Sequence, residues 1–328
     1  MAITVKDLAD LCGVSRGTID RALNNKPGIN PDTRARILKT ASDHGYTPDY
    51  IGRSLAKGRT FTLGVVVFDL NNPYFCQLLQ AIEKQARQNG YVVMIMMSGQ
   101  QADQEIKAVG QLKERRVDGL ILHPVGCGPA YETQLAKTGL PIVVVGNRLS
   151  GCYDYVGLDN AGAAADAARL IAGRGYRRIL FVAPPLRKAG QVNIAAQEQR
   201  LAGFLSVVQA QQLDATVISS ADYLADLEHE LEQAGPRTAV FCSSDVYALE
   251  VMQVLRKKKR RQEWPGGLMG FDGIDMLQYV QPRLTTVYNP VAETGKAAVD
   301  RLLCRIDDNG LAAETILIPH RILPGDSL

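Results

Sequence analysis

Residues 3–24 read ITVKDLADLCGVSRGTIDRALN, and this stretch decides the fold of the amino-terminal part of the chain. Thr4 and Ser15 are favoured N-cap residues, and each precedes a run in which apolar residues recur every three or four positions. Gly13 lies between the two runs and permits a left-handed turn. A third helix is predicted to begin at Pro31, because proline is favoured at the first position of a helix. Three short helices with this tight turn predict a helix-turn-helix unit, whose second helix enters the major groove of DNA.

Charge is unevenly distributed along the chain. Residues 1–60 contain ten Lys or Arg and six Asp or Glu, whereas residues 61–328 contain 27 and 28, so the first segment carries +4 and the second −1. A basic segment attached to a nearly neutral one favours contact between the first segment and a polyanion. Double-stranded DNA is the polyanion that a helix-turn-helix unit would meet.

Beyond residue 60 the pattern changes to apolar runs that alternate with helical runs. Such alternation is typical of doubly wound parallel sheets, and the length of the segment suits two lobes better than one. The predicted fold class is therefore a small all-α helix-turn-helix head followed by an α/β body of two doubly wound parallel-sheet lobes. Residues 63–68, 92–97, 119–122 and 142–146 are predicted to be buried strands, and residues 179–183, 216–218, 239–243 and 268–271 form a second series of strands. The predicted helices are residues 74–88, 103–115, 130–137, 161–173, 197–210, 224–233 and 245–258.

The composition argues against several classes of protein. Hydrophobic residues make up 46% and charged residues 22%, as in soluble globular proteins. No apolar run reaches the length of a membrane helix, and the first residues lack the pattern of a signal peptide, so we expect a cytoplasmic protein without membrane contact. Six cysteines without a CxxC pair and four scattered histidines predict neither a disulfide framework nor a metal site. Common nucleotide-binding and catalytic motifs are absent from the sequence, so we expect no cofactor and no enzyme activity.

The head motifs, taken together, resemble the lactose-repressor (LacI-type) family of bacterial transcription regulators. The match includes GVS at 13–15, TIDRALN at 18–24 and GYTP at 45–48, and it continues more loosely over the rest of the chain. The resemblance implies a body similar to periplasmic sugar-binding proteins, with two lobes around a ligand cleft. It divides the chain into a DNA-binding head at 1–48, a hinge helix or linker at 49–60 and an effector-binding body at 61–328, with lobe 1 at approximately 61–159 plus 289–318 and lobe 2 at approximately 160–288 plus the carboxyl-terminal segment.

The resemblance also assigns DNA contacts to the second helix of the head. Family members read bases with the first two residues after the capping serine, here Arg16 and Gly17, and Arg21 matches a further base-contacting position. Arg16 can donate two hydrogen bonds to guanine, whereas Gly17 offers no side chain, so that operator position stays unassigned. We expect Asp20, which stands where serine is usual, to hold Arg21 or to accept from a cytosine amine. The remaining residues expected to contact phosphates or cap helices are Thr4, Ser15, Thr18 and Asn24.

The hinge segment carries two further expected DNA contacts, Arg53 and Leu55. In the family this segment becomes helical only on the operator, where paired leucines from two subunits enter the minor groove and kink the DNA. A helix over residues 50–57 is too short to be stable alone, so folding on binding is physically reasonable. The alternative is that Leu55 packs on the body as part of an ordinary linker.

Polar and aromatic side chains follow several predicted strands of the body, where open α/β sheets bind ligands. By the resemblance, ligand contacts are expected from Asn71, Asn72, Tyr74, Phe75, Asn147, Arg148, Arg200, Ser244, Asp272 and Asn289. Structural alternatives stay open, with Asn72 as a helix cap, Phe75 in the core and Arg148 in a salt bridge. Carboxylates, amides and two arginines suit a small polyhydroxy ligand, a sugar or polyol. A purine or a phosphorylated sugar is the alternative, because arginines bind phosphates.

Together these features predict a homodimeric, ligand-responsive transcription regulator, which by resemblance is a repressor. Two heads would read the half-sites of a pseudo-palindromic operator, and the ligand would change the lobes and the hinge and so alter operator affinity. By analogy, the dimer surface is expected on the first lobe near the segment after Phe75. An enzyme or a transport-type sugar-binding protein is a remote alternative, which the DNA-reading head opposes.

Overall fold

The computed structural model describes residues 3–46, 54, 58–186, 192–235, 237–260 and 266–328. The chain divides into two compact units, Met1–Thr60 and Phe61–Leu328. Arg53 and Leu55, the DNA contacts expected in the hinge, lie outside the described residues.

The first unit is built from three short helices, α1 (Val5–Cys12), α2 (Arg16–Leu23) and α3 (Pro31–Asp43). Thr4 forms a capping box at α1, because its hydroxyl accepts from the Asp7 backbone N–H while the Asp7 carboxylate accepts from the Thr4 backbone N–H. Gly13 adopts the left-handed conformation, with φ 61°, at the turn before α2. Ser15 caps α2 by accepting from the backbone N–H of Thr18. The predicted helix-turn-helix arrangement is present.

A small apolar core holds these helices together. Its buried members are Leu8, Ala9, Cys12, Ile19, Ala22, Ile37 and Ala41. Each helix contributes residues three or four positions apart, so one face of each helix is buried and another remains outside. Helix α2 is buried through Ile19 and Ala22, which leaves Arg16, Gly17 and Arg21 exposed.

The second unit alternates strands and helices in chain order: β1 (Thr62–Val67), α4 (Pro73–Gln88), β2 (Val92–Met97), α5 (Ala102–Glu114), β3 (Gly119–Leu122), α6 (Pro129–Ala136), β4 (Ile142–Val145), β5 (Asp154–Leu158), α7 (Asn160–Gly173), β6 (Arg178–Val182), α8 (Ala195–Ala210), β7 (Asp214–Ile218), α9 (Tyr223–Glu232), β8 (Thr238–Cys242), α10 (Asp245–Arg260), β9 (Gly267–Asp272), β10 (Thr285–Tyr288), α11 (Val291–Asp307), β11 (Thr315–Ile318) and β12 (Arg321–Leu323). Every strand and helix predicted for this unit is present, and its ends differ from the prediction by at most two residues.

These elements form two sheets, one in each lobe. The order of strands is β11-β5-β4-β3-β1-β2 in lobe 1 and β12-β10-β9-β8-β6-β7 in lobe 2. The strand pairs are parallel, apart from the antiparallel pairing of β12 with β10. The chain crosses between the lobes after β5, after β10 and after β11. The predicted fold class is confirmed.

Strand β2 differs from the expectation that it would be a buried strand. It is an edge strand that pairs with β1, and the side chains of Val92, Ile95 and Met97 are 60%, 48% and 58% exposed. Its apolar composition matches that of a central strand, but its place at the end of the sheet leaves it partly uncovered. Strands β5, β10, β11 and β12 and helix α11 were not predicted from the sequence.

Asp154 in β5 ties helix α11 to the sheet of lobe 1. Its carboxylate accepts from Arg301 Nε at 2.9 Å, from Arg305 Nε, and from the backbone N–H of Glu314 at 2.8 Å. Burial alone would raise the pKa of Asp154, but the hydrogen bonds from Arg305, the backbone and Arg301 together lower it. This cluster fixes α11 and the start of β11 beside β5.

Candidate ligand cleft and nucleic-acid interface

In the head, the start of α2 carries the residues expected to read DNA. Arg16 and Gly17 are exposed in its first turn, and Arg21 is exposed one turn later. The hydroxyl oxygens of Ser15 and Thr18 lie 2.9 Å apart at the capped end of the helix. The N-terminus of a helix carries partial positive charge and backbone donors, so this end of α2 suits a phosphate or a base acceptor.

Asp20 is engaged within the head by residues other than Arg21. Its carboxylate accepts from Lys26 Nζ and from Asn24 Nδ2, each at 2.7 Å. The hydrogen bond from Lys26 is the main cause that lowers the pKa of Asp20. Asn24 also donates to the Asp20 carbonyl at 3.1 Å and follows the last residue of α2, so it acts as a helix cap.

In the body, loops that follow the strands of both lobes line a cavity of about 440 Å³, a size typical of small-molecule sites. Arg148 borders a smaller cavity instead, and its guanidinium carbon lies 4.2 Å from the centre of the Tyr155 ring. The other nine residues expected to contact ligand all line the larger cavity: Asn71, Asn72, Tyr74, Phe75, Asn147, Arg200, Ser244, Asp272 and Asn289.

Arg200, on helix α8, organises the lobe 2 side of the cavity. It donates from Nε to Asn160 Oδ1 at 2.9 Å and from Nη1 to the Ser243 carbonyl at 2.5 Å. Its Nη2 lies 3.4 Å from Asp272 Oδ1, and its guanidinium carbon lies 3.6 Å from the centre of the Phe271 ring. The arginine side chain is only 8% exposed, so its pairing with Asp272 is a buried one.

Asp272 occupies a strained backbone conformation at the end of β9. Its φ is 119°, a region that costs a non-glycine residue on the order of 1–3 kcal/mol. Burial raises the pKa of its carboxyl group, against the effect of Arg200 and of hydrogen bonds from Ser244 and Asn289. Such strain persists only where the surroundings determine the backbone, and it is common at ligand sites.

Asp245, the first residue of α10, holds this strained turn. Its Oδ2 accepts from the backbone N–H of Gly273 at 2.6 Å and of Ile274 at 3.0 Å, and its Oδ1 accepts from the Thr286 hydroxyl at 2.6 Å. Burial raises the pKa of Asp245 to about 7, and the nearby charge of Asp272 adds to the rise. This positioning role of Asp245 was not predicted from the sequence.

An asparagine in place of Asp245 is expected to remove a pH dependence of stability. The pKa of Asp245 is about 7 in the folded state, against an ordinary value of 3.8. The folded state therefore binds more protons between these values, so the free energy of unfolding falls as the pH rises through this window. At ~1.4 kcal/mol per pH unit, the fall between pH 5 and pH 8 is about 2–3 kcal/mol. Urea unfolding followed by circular dichroism at both pH values measures it.

The Asp245→Asn variant keeps the turn without the buried charge. Its Oδ1 can accept from both backbone N–H groups, and its amide can donate to the Thr286 hydroxyl. The matched control is Asp275→Asn, which removes an exposed carboxylate nearby and should leave the wild-type pH dependence in place. If Asp245→Asn and wild type lose equal stability between pH 5 and pH 8, the carboxyl group of Asp245 does not cause the loss.

On the lobe 1 side, Asn72 and Phe75 each have a structural role in helix α4 and also line the cavity. Asn72 Oδ1 accepts from the Tyr74 backbone N–H at 3.0 Å and caps the helix, with Pro73 at its first position. Phe75 packs edge-on against Phe68, with 4.5 Å between the ring centres. Asn72 and Phe75 also line the cavity, so the structural alternatives and the expected ligand contacts are compatible.

His123 lines the cavity and was not predicted from the sequence. Its ring lies after β3, 5.4 Å from that of Phe68 and 4.9 Å from that of Phe75 between centres. Burial lowers the pKa of His123 to about 4, so the imidazole is neutral at neutral pH. Gly146 makes room for it, since a Cβ there would lie 2.3 Å from His123 Nε2. The position of His123 directly after a strand could have identified it as a cavity residue.

Other unpredicted residues of the cavity wall include Tyr155, Asn160, Asn193, Gln197 and Tyr247.

Two further observations concern the described part of the chain. Within it, no group of three or more His, Cys, Asp or Glu side chains is placed to hold a metal ion. Among its helices, none has both the length and the apolar character needed to cross a membrane.

A helix-turn-helix head joined to a two-lobed body with a polar cleft defines a ligand-responsive DNA-binding regulator. Residues 60–324 match the family model described as periplasmic binding proteins and sugar binding domain of LacI family, and residues 4–49 match the model described as bacterial regulatory proteins, lacI family. This protein belongs to the LacI family, and it is a DNA-binding transcription regulator.

Known relatives support this membership over nearly the whole chain. The HTH-type transcriptional repressor CytR of Escherichia coli (strain K12) is 30% identical over 312 residues, which cover 92% of this chain and 89% of that protein. The lac repressor dimer bound to operator and the anti-inducer ONPF shares the fold, with a TM-score of 0.85, 22% identity and coverage of 100% of this chain and 99% of that one. The transcriptional regulator CelR–cellobiose complex also shares it, with a TM-score of 0.70, 24% identity and coverage of 99% and 100%.

Proposed function

We propose that this protein is a repressor whose operator affinity is controlled by a sugar or polyol bound in the cleft between the lobes. The arrangement of Arg200, Asp272 and Asn289 around one cavity carries this proposal, because it offers a guanidinium donor, a carboxylate acceptor and an amide to neighbouring hydroxyl groups. Tyr74 and Phe75 supply apolar contact for the face of a sugar ring. The cellobiose bound to the relative CelR agrees with this class of ligand.

A purine or a phosphorylated sugar is the second candidate for the ligand. The aromatic side chains of Tyr74, Phe75, Tyr155 and Tyr247 line the cavity and could stack on a base. Arg200 could contact a phosphate, although each of the three nitrogen atoms of its guanidinium group already faces a protein acceptor. Arg148, the second arginine expected to contact ligand, borders the smaller cavity.

The ligand proposal is tested by a thermal-shift screen of the full chain against sugars, polyols, sugar phosphates and nucleobases. A ligand at 100 times its dissociation constant is expected to stabilise the protein by ~2.7 kcal/mol. Asp272→Ala should abolish the shift, because it removes the acceptor at the end of β9. The matched control is Asp275→Ala, which removes an exposed carboxylate three residues further on.

Each outcome of the screen decides one part of the proposal. Hits among sugars or polyols that Asp272→Ala abolishes support the first candidate. Hits only among phosphates or purines favour the second candidate. If no compound raises the melting temperature, control by a ligand of these classes is contradicted, while the DNA-binding assignment stands.

For the head, we infer that Arg16 and Arg21 read base edges while Thr4, Ser15, Thr18 and Asn24 cap helices or contact phosphates. Gly17 would allow close approach of the α2 backbone to the groove, and Arg53 and Leu55 would act in the hinge. The division into a head at 1–48, a hinge at 49–60 and a body at 61–328 is part of this proposal. We propose no catalytic role for the protein. Because it acts on operator DNA, we expect it in the cytoplasm.

We also propose that the protein is a homodimer joined through lobe 1. Strand β2 ends its sheet with exposed Val92, Ile95 and Met97, and helix α4 packs beside it. An apolar edge strand of this kind is a template for pairing with another chain. A two-fold dimer would present two heads to a pseudo-palindromic operator. The relative that is described as a dimer on its operator has the same fold.

Replacing Ile95 by aspartate is expected to raise the dimer dissociation constant at least tenfold, because it places a charge among the exposed apolar side chains of β2. Sedimentation velocity over a concentration series measures this, and operator binding should weaken in parallel. Leu317→Asp is the matched control, since Leu317 is equally exposed, at 48%, on the edge strand β11 at the other side of the same sheet. A variant Ile95→Asp that remains dimeric at every concentration would place the dimer interface elsewhere.

A further inference from the structure

A short segment at the start of α8 docks onto lobe 1 beside the cavity. Asn193 donates its backbone N–H to the Val125 carbonyl at 2.7 Å. Its side-chain amide donates to the Arg148 carbonyl at 2.9 Å and to the Gly126 carbonyl at 3.4 Å. Asn193 is only 6% exposed, so these hydrogen bonds are shielded from water. Asn193 of lobe 2 is thus bonded to two loops of lobe 1.

Asn147 reaches in the opposite direction, from the end of β4 in lobe 1. Its Nδ2 donates to the Asn193 carbonyl at 2.7 Å and to the Pro124 carbonyl at 3.2 Å. Its Oδ1 accepts from the Ala196 backbone N–H at 3.0 Å. A carboxamide can do both, whereas a carboxylate has no hydrogen to donate. The polar atoms of Asn147 are therefore bonded to groups of both lobes.

A buried carboxylate supports the lobe 1 half of this contact. Glu105, in the first turn of α5, is fully buried and accepts from the backbone N–H groups of Val125 at 2.9 Å and Gly126 at 3.0 Å. The Tyr131 hydroxyl also donates to it. These bonds orient the 125–126 backbone so that its carbonyls face Asn193. Glu105 is a positioning residue for the contact.

We infer that Asn147 and Asn193 form a latch that joins the two lobes across the cleft before any ligand binds. This inference rests on the proposed function for its consequence, namely that the cleft is already assembled when the ligand arrives. When most molecules already have the binding-competent arrangement, the apparent affinity for ligand is little reduced by the free energy needed to close the cleft. The ligand then acts on lobes that are already joined, and it changes operator affinity only to the extent that it binds the joined and parted arrangements differently.

Hydrogen exchange of the ligand-free full chain tests the latch. In wild type, amides in peptides covering residues 192–197 are expected to exchange slowly, because those of Asn193 and Ala196 are bonded to lobe 1. In Asn147→Asp, a carboxylate oxygen faces the carbonyls of Pro124 and Asn193, so exchange in these peptides should be at least tenfold faster. Asn309→Asp is the matched control, since it adds the same charge to lobe 1 at an exposed loop.

Unchanged exchange within β8 shows in the same experiment that each variant is folded. Asn193→Asp, which loses the donors to Gly126 and Arg148, should give the same local increase as Asn147→Asp. The latch is contradicted if Asn147→Asp protects residues 192–197 as well as wild type does, or if wild type already exchanges there as fast as Asn147→Asp. Failure of the proposed function would appear separately, as absence of operator or ligand binding by wild type, because exchange is measured without either partner.

Discussion

Replacing Arg16 by alanine is expected to weaken binding to the operator by about 1–3 kcal/mol. The corresponding loss of affinity is about 5- to 150-fold. Arg16 is exposed in the first turn of α2, where its forked guanidinium can donate to O6 and N7 of one guanine. Discrimination between bases should therefore be lost at only one position in each half-site. Titration of wild type and variant against an operator selected from random DNA, and against its single-base substitutions, measures both the size and the position of the effect.

The pattern of losses separates base recognition from simple charge attraction. Lys39→Ala removes an exposed cation from α3 and is the matched control, for which we expect a smaller loss that is the same for every sequence. If Arg16→Ala weakens all operators equally and reduces the dependence of affinity on salt, Arg16 contacts a phosphate rather than a base. The base-reading role of Arg16 would then be wrong, although the helix-turn-helix arrangement would be unaffected.

The fold was predictable where the local pattern and the tertiary role of a segment agree. Thr4, Gly13 and Ser15 favour a cap, a turn and a second cap in isolation, and the folded head uses each in that way. Strand β5 shows the opposite case. Its sequence DYVGL begins with an acid and contains Gly157, which disfavour strands, yet it is ordered by pairing with β4 and β11 on its two sides. Strand β11 comes from a distant part of the chain, so the local sequence of β5 does not reveal this neighbour.

The cavity was predictable to the extent that it depends on strand ends. Parallel strands bring their carboxyl ends, and the loops that follow, to one edge of their sheet. Asn72 lies in the loop after β1, Asp272 ends β9 and Asn289 follows β10, and all three line one cavity. The partners of Asn147 could not be predicted in this way, because Asn193 lies 46 positions away and on the other lobe. Asp245 is similar, since its hydrogen bonds form with a turn and a strand that only the folded lobe brings together.

Replacing Arg200 by alanine is expected to lower the free energy of unfolding of the body by about 3–5 kcal/mol, because one partner of a buried ion pair is removed. Asp272 would stay buried without its cation, and Asn160 and the Ser243 carbonyl would lose a donor. Urea unfolding followed by circular dichroism measures the loss. Arg169→Ala is the matched control, because Arg169 pairs with Asp166 on the surface, where such pairs contribute about 0–1 kcal/mol.

The cause of this loss can be isolated by adding Asp272→Asn to Arg200→Ala. The second change removes the unpaired buried charge, so the double variant should regain more than about 1 kcal/mol relative to Arg200→Ala alone. The pH dependence has the same origin. Burial already raises the pKa of Asp272, and loss of Arg200 raises it further, so Arg200→Ala loses more stability as the pH rises from 5 to 8. A loss that is equal at both pH values and not rescued by Asp272→Asn would show that packing on Phe271, rather than the ion pair, is what Arg200 contributes.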